Sequence, residues 1–159
     1  AVEVNYRQRQ RVVEKLEDQL GDLRGCTVGI LGLSFKPNTD DLRDSPAMDI
    51  ARKLLERGAT VRAHDPVAMP RARREYPHLP ITYCEGVEEL AHGADALMLV
   101  TEWEEYRKQP LKLLAERVRT PVFVNARNGL APEAVRAAGF TYLGVGRPCA
   151  SSLPGERDS

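Results

Sequence analysis

The 159-residue chain has no net charge, no long apolar run, no cysteine cluster and no dinucleotide fingerprint, and each absence narrows what it can do. Lys plus Arg and Asp plus Glu both number 23, so no global field draws the chain to DNA, RNA or an anionic membrane surface. No apolar stretch approaches the ~18 residues that a membrane span requires. Residues 1–5 lack the basic region and apolar core of a signal peptide, so a cytoplasmic protein is the expectation. Cys26, Cys84 and Cys149 are odd in number and widely spaced, without a C-x-x-C or Cys/His grouping. Neither a zinc site nor a disulfide framework is therefore indicated. Cys26 and Cys84 lie in or beside apolar runs and are expected as buried thiols. His64, His78 and His92 have neither triad nor metal spacing and are expected at the surface.

What is present is an ordinary globular balance, 42% apolar and 29% charged, on a length that suits one domain with a single substantial core. Val13, Leu16, Leu20 and Leu23 recur at steps of three and four, the stripe of an amphipathic helix over 1–24. Arg7, Arg9, Arg11, Glu14, Lys15, Glu17 and Asp18 fall between them and suit a solvated face. The stripe is poor near Arg9 and Gln10, so the first two turns are expected to need a partner outside this chain. After Gly25 the period changes. Residues 26–33 form a nearly continuous apolar run, as in a strand buried on both faces. Ser45-Pro46 then reads as an N-cap and first helical residue, and Gly58 as the end of that helix.

The alternation repeats. Strands are predicted at 60–65, 81–84, 94–101, 122–125 and 141–146, with helices at 68–76, 87–91, 111–118 and 132–138. Strands alternating with helices of this length imply βαβ units, hence a three-layer α/β/α Rossmann-like domain with a parallel sheet of five or six strands. The α/β body is placed at 25–148, and the small, polar residues 149–159 are expected to form a disordered tail.

In such sheets ligands bind beyond the carboxyl ends of the strands, at the switch in strand order. That directs attention to 34–45, to the segment after Asp65, to 101–106 and to 125–130. Gly29 and Gly32 do not have the Gly-x-Gly-x-x-Gly spacing that brings backbone N–H groups and a helix N-terminus to a pyrophosphate. Asp65 ends the second strand, where a dinucleotide fold keeps its ribose-binding acid; a structural cap or turn at Asp65-Pro66 is the competing role. An NAD site in this chain is not expected.

The stretch Gly32-Leu-Ser-Phe-Lys-Pro-Asn-Thr-Asp-Asp-Leu-Arg-Asp-Ser-Pro46 resembles the loop that opens the C-terminal domain of the UDP-glucose/GDP-mannose dehydrogenases, on the UDP-glucose side of that family. Gly32, Phe35, Lys36, Thr39, Asp41, Arg43, Ser45 and Pro46 match. Asp65-Pro66, Thr101-Glu102-Trp103, 125–128 and 142–147 match in the expected order, as do Asn5 and Gln8 in the leading helix. The resemblance covers about 2–147. It implies a nucleotide-sugar-binding domain of an enzyme that oxidises a sugar C6 alcohol to a carboxylate with NAD. NAD and the catalytic cysteine belong to an N-terminal portion of such enzymes, and no catalytic, cofactor-binding or metal residue is assigned here. The implied partners are a UDP-sugar, an N-terminal NAD-binding domain and, at full length, a homo-oligomer; no redox activity is expected of this chain alone.

Carried over by position, the substrate-binding residues are Phe35, Lys36 and Arg127. Alone, Phe35 and Lys36 read as a core aromatic beside a solvated lysine; within the motif they offer an apolar wall and a cation for a phosphate or sugar oxygen. Arg127 supplies a planar charged fork, with an ion pair to Asp41 or Asp44 as its structural alternative. Asp41, Arg43 and Ser45 are expected to shape the loop through ion pairs and the helix cap. Trp103 is placed either over the site or against a neighbouring domain. The family usually has Asp and Gly where this chain has Asn125 and Ala126. A second reading makes the domain an oligomerisation interface that binds ligand weakly or not at all.

Overall fold

The computed structural model describes residues 6–34, 37–126 and 130–144. A leading helix α1 (Tyr6–Leu20) is followed by β1 (Thr27–Leu31), α2 (Pro46–Glu56), β2 (Thr60–His64), α3 (Met69–Glu75), β3 (Thr82–Tyr83) and α4 (Val87–Ala91). Then come β4 (Ala96–Leu99), α5 (Glu104–Arg107), α6 (Leu111–Arg117), β5 (Val122–Asn125), α7 (Pro132–Ala137) and β6 (Thr141–Gly144). The six strands form one sheet in the order β3-β2-β1-β4-β5-β6, every neighbouring pair parallel. The order reverses between β1 and β4, which defines the switch point.

The apolar runs become strands because both faces of the sheet are covered. Every residue of β4 and β5 is buried, as parallel strands between helical layers must be. Side chains alternate between two cores with the strand's period of two. Val28, Ile30, Val61, Ala63, Met98 and Val124 join Val12, Leu16, Ile50 and Leu54 on the face carrying α1, α2 and α3. Leu31, Leu97, Leu99 and Phe123 join Leu90, Tyr106, Leu114 and Val135 on the other.

Most expected elements are present with shifts of a few residues at their ends. Helix α2 starts at Pro46, and Ser45 Oγ accepts the Met48 N–H at 3.2 Å, the expected cap. Helix α5 was not anticipated, because four residues are too few for a 3.6-residue period to register. The expected tail at 149–159 lies outside the described residues.

Two expectations are corrected. Arg7, Arg11, Glu14 and Asp18 do lie on the exposed side of α1, but Arg9 is only 4% exposed and pairs with Asp44 and Asp49. At Arg9 the helix thus meets a partner within the chain, in Asp44 and the first turn of α2. His64 is also buried, at 3% exposure, whereas His78 and His92 are exposed. It ends β2 facing the second helical layer, and position on a doubly covered sheet outweighs the polarity of the ring.

Gly32 closes β1 with φ +95°, and a Cβ placed there would stand 2.4 Å from Thr101 Cβ and 2.7 Å from the Thr101 backbone nitrogen. Both the left-handed conformation and the close approach of the two strand ends require glycine. Gly32→Ala is expected to lower stability by about 3 kcal/mol, combining backbone strain with overpacking. Urea denaturation checks this; a loss below about 1 kcal/mol would show that the two strand ends can separate at little cost.

Candidate functional site

At the carboxyl end of β1 the chain enters the 34–45 loop through Leu33 and Ser34, both buried. Their four backbone polar groups are all met by side chains. The N–H groups of Leu33 and Ser34 donate to Asp65 Oδ2 at 2.7 and 3.1 Å. Ser45 Oγ donates to the Leu33 carbonyl at 2.6 Å, and Thr101 Oγ1 donates to the Ser34 carbonyl at 2.7 Å. Ser45 therefore caps α2 with one lone pair while its proton ties the far end of the loop back to its beginning. Buried backbone in an irregular loop needs such partners, since neither helix nor sheet supplies them.

Asp65 is the centre of this arrangement. It is 0% exposed and accepts five N–H bonds. Besides Leu33 and Ser34, Trp103 Nε1 reaches Oδ2 at 3.2 Å, and the Val67 and Ala68 N–H groups reach Oδ1 at 2.9 and 2.8 Å. The last two are the i+2 and i+3 bonds of an aspartate closing a turn ahead of α3. A ribose hydroxyl would find both carboxylate oxygens engaged and no route from solvent. Together with the missing glycine spacing, the residues at this switch point do not fit a dinucleotide. Of the two roles open to Asp65, it has the structural one.

Trp103 is turned inward. At 8% exposure it packs in the second core and donates to Asp65, so it braces the loop from below. Beside it, His64 Nδ1 lies 2.8 Å from the Tyr106 hydroxyl, which donates to the His64 carbonyl at 2.9 Å. His64 Nε2 stands 3.7 Å from Glu105. Burial lifts the Tyr106 hydroxyl far above the ordinary phenol range. Sequence reasoning missed this pair, because nothing in the spacing of His64 and Tyr106 marks them as neighbours.

The expected substrate residues Phe35, Lys36 and Arg127 lie outside the described residues. Their immediate neighbours do not. Ser34 and Ala126 are both buried, and Leu31, Leu99 and Asn125 stand in one register row across β1, β4 and β5. The two loops thus leave the same sheet edge one intervening strand apart, roughly 10 Å at the usual strand spacing. Asn125 Nδ2 donates to the Leu130 carbonyl at 3.1 Å and to the Tyr142 hydroxyl at 3.2 Å. An ionised aspartate could not make either bond as donor, so asparagine here closes the 125–130 loop in its own way.

Asp41 and Arg43 shape the loop as expected, paired at 2.8 Å. Cys84 is buried and Cys26 half-buried, and desolvation pushes both thiols up. Neither is primed as a nucleophile; Cys149 lies outside the described residues. Among the described residues no three His, Cys, Asp or Glu side chains group as a metal set, and no helix is long and apolar enough to cross a membrane.

Two outcomes follow from this geometry. Asp65→Asn would turn an amide NH2 against N–H donors and remove the charge they serve, so it is expected to cost about 3 kcal/mol or more. The check is denaturation followed by Trp103 emission; a variant within about 1 kcal/mol of wild type would contradict the central role of this carboxylate. Hydrogen bonds from the Arg43 side chain and backbone hold the Asp41 carboxyl at about 2, against an ordinary 3.8. A lowered acid favours folding above its ordinary value and loses that contribution as pH falls through about 2. An NMR titration should find the Asp41 midpoint well under 3.8; one at or above 3.8 would mean the pair is open in solution.

Comparison with known proteins agrees with this anatomy. Residues 29–132 match the model of the UDP-glucose/GDP-mannose dehydrogenase family, UDP binding domain. UDP-glucose 6-dehydrogenase YwqF of Bacillus subtilis is 38% identical over 146 residues, covering 92% of this chain and 33% of the relative. The UDP-glucose 6-dehydrogenase of Pseudomonas aeruginosa is 41% identical over 149 residues, 91% of this chain and 33% of the relative. The structure of a UDP-glucose dehydrogenase from Pyrobaculum islandicum superposes with a TM-score of 0.74 at 39% identity, over 89% of this chain and 30% of that one. Shikimate dehydrogenase from Aquifex aeolicus shares only the fold, at 13% identity and a TM-score of 0.63. The chain spans about a third of the length of the curated relatives it matches. With a family model matched over most of its length, the chain belongs to the UDP-glucose/GDP-mannose dehydrogenase family, as its UDP binding domain.

Proposed function

We propose that the chain binds the UDP-sugar substrate of an NAD-dependent nucleotide-sugar 6-dehydrogenase and supplies that half of its active site. The observation that carries this reading is the pairing of two anchored loops at the switch point. One begins at Leu33–Ser34, held by Asp65, Ser45 and Thr101. The other begins at Asn125–Ala126 in the same register row. Phe35 and Lys36 follow directly in the first loop and Arg127 in the second.

In this reading Lys36 and Arg127 bring two cations to the diphosphate or sugar hydroxyls, and Phe35 provides an apolar wall. The engaged Asp65 argues that NAD is held elsewhere, in an N-terminal domain that acts as this chain's partner. Two NAD molecules bound there in succession would supply the acceptors for the two hydrides that oxidation of the C6 alcohol to a carboxylate removes. The same reading sets the complete protein in the cytoplasm as a homo-oligomer.

Calorimetry with UDP and UDP-glucose tests the assignment. The chain should bind UDP, and Lys36→Ala and Arg127→Ala should each weaken binding about tenfold, near 1.4 kcal/mol. If UDP binds and neither change matters, these residues are not the site. If no UDP binds even after the NAD-binding domain is restored, the interface reading replaces this one. Restored NAD reduction with UDP-glucose supports the dehydrogenase.

A further inference from the structure

Arg9 lies on α1, outside the loops that form the site, yet it is one of the few buried cations among the described residues. Its guanidinium reaches acceptors on two residues of the loop end and α2. Nη2 donates to the Asp44 backbone carbonyl at 3.0 Å, and Nη1 lies 3.3 Å from Asp44 Oδ1 and 3.4 Å from Asp49 Oδ2. Asp49 is in the first turn of α2, whereas Asp44 is the last loop residue before the Ser45 cap.

Asp44 has φ +52°, a left-handed conformation that costs a non-glycine residue free energy and persists where its surroundings hold it. Arg9 engages both the carbonyl and the carboxylate of that residue, so it fastens the strained turn on which the 34–45 loop ends. A lysine ammonium is a single point charge and could not serve a carbonyl and two carboxylates with a planar fork. The beginning of the loop is fastened independently, by Asp65 and Thr101.

We infer that Arg9 is a positioning residue for the nucleotide site: through Asp44 it sets the distal end of the 34–45 loop, and so couples the position of α1 to UDP affinity. The inference rests on the UDP-site reading given above. Its reach is the mechanical link from a leading helix to the ligand loop, with no contact between Arg9 and ligand. Asp44 is 57% exposed at its side chain and Asp49 also pairs with Arg52 at 2.7 Å, so loss of Arg9 leaves neither carboxylate buried without a partner. The fold is thus expected to survive the substitution.

The test uses the 159-residue chain with Arg9→Gln, Arg9→Lys, Lys36→Ala and the Arg9→Gln/Lys36→Ala double variant. Hydrogen exchange without ligand should quicken about tenfold across 40–45 in Arg9→Gln while β4 exchange stays at the wild-type rate. The UDP dissociation constant should rise about tenfold in Arg9→Gln, and in the Lys36→Ala background the same change should add less than about twofold. A residue that only supports folding would show additive effects and would speed exchange in β4 as well. Should Arg9→Gln fail to fold, Arg9→Lys carries the same measurements. Wild-type UDP affinity in the folded Arg9 variant overturns the positioning role and leaves the UDP site standing. A wild-type chain without UDP affinity, both alone and with the NAD-binding domain restored, overturns both.

Discussion

A single buried carboxylate organises the switch point. Placing the Asp65 charge at 0% exposure is tolerable only because five N–H donors converge on it. They come from the exit of β1, from the turn into α3 and from an indole that follows β4. Each donor also gains, since a backbone N–H in an irregular buried loop has few partners available to it. Three segments distant in sequence are in this way held to one point.

The consequence is a reuse of the Rossmann-like layout. Where a dinucleotide domain keeps a tight glycine turn and an acid for a ribose, this chain has an extended loop and turns the acid inward. Gly32 remains, but its work is steric: it lets β1 and the start of the Thr101 segment approach closely. Ser45 and Thr101 replace turn geometry with side-chain hydroxyls, one closing the loop on itself and one tying it to the neighbouring strand end. The loop is therefore anchored at its base by polar contacts of good geometry. Its distal end is held by that Ser45 bond and by a second device, the Arg9 fork on the left-handed Asp44.

Much of the architecture was legible because burial on both faces leaves an imprint on composition. The apolar runs at 94–101 and 122–125 required a covered parallel sheet, and the Ser45-Pro46 pair marked a helix start through local chemistry. The family motif likewise pointed to the 34–45 loop from adjacent residues alone. Arg9 and His64 were misread for the opposite reason. A helical period sees only its own helix and puts Arg9 on the wet face, whereas its acceptors sit 35 and 40 residues away. His64 was assigned by polarity, although its place on the inner face of β2 buries it against Tyr106. Trp103 resisted placement because an indole N–H declares a need for an acceptor without saying where that acceptor lies.

The amino-acid sequence by itself determined the alternation of strands and helices, the cap of α2 and the identity of the loop beyond β1. All of these follow from periodicity, backbone propensity or a contiguous motif, which are local properties of the chain. Only the tertiary structure decided that Asp65 is a structural acceptor, that Arg9 fastens Asp44, and that the exits of β1 and β5 share a register row. Those outcomes depend on which distant N–H groups and carboxylates the strand order brings within about 3 Å, the range in which a hydrogen bond forms. Nothing in the neighbouring residues encodes that choice.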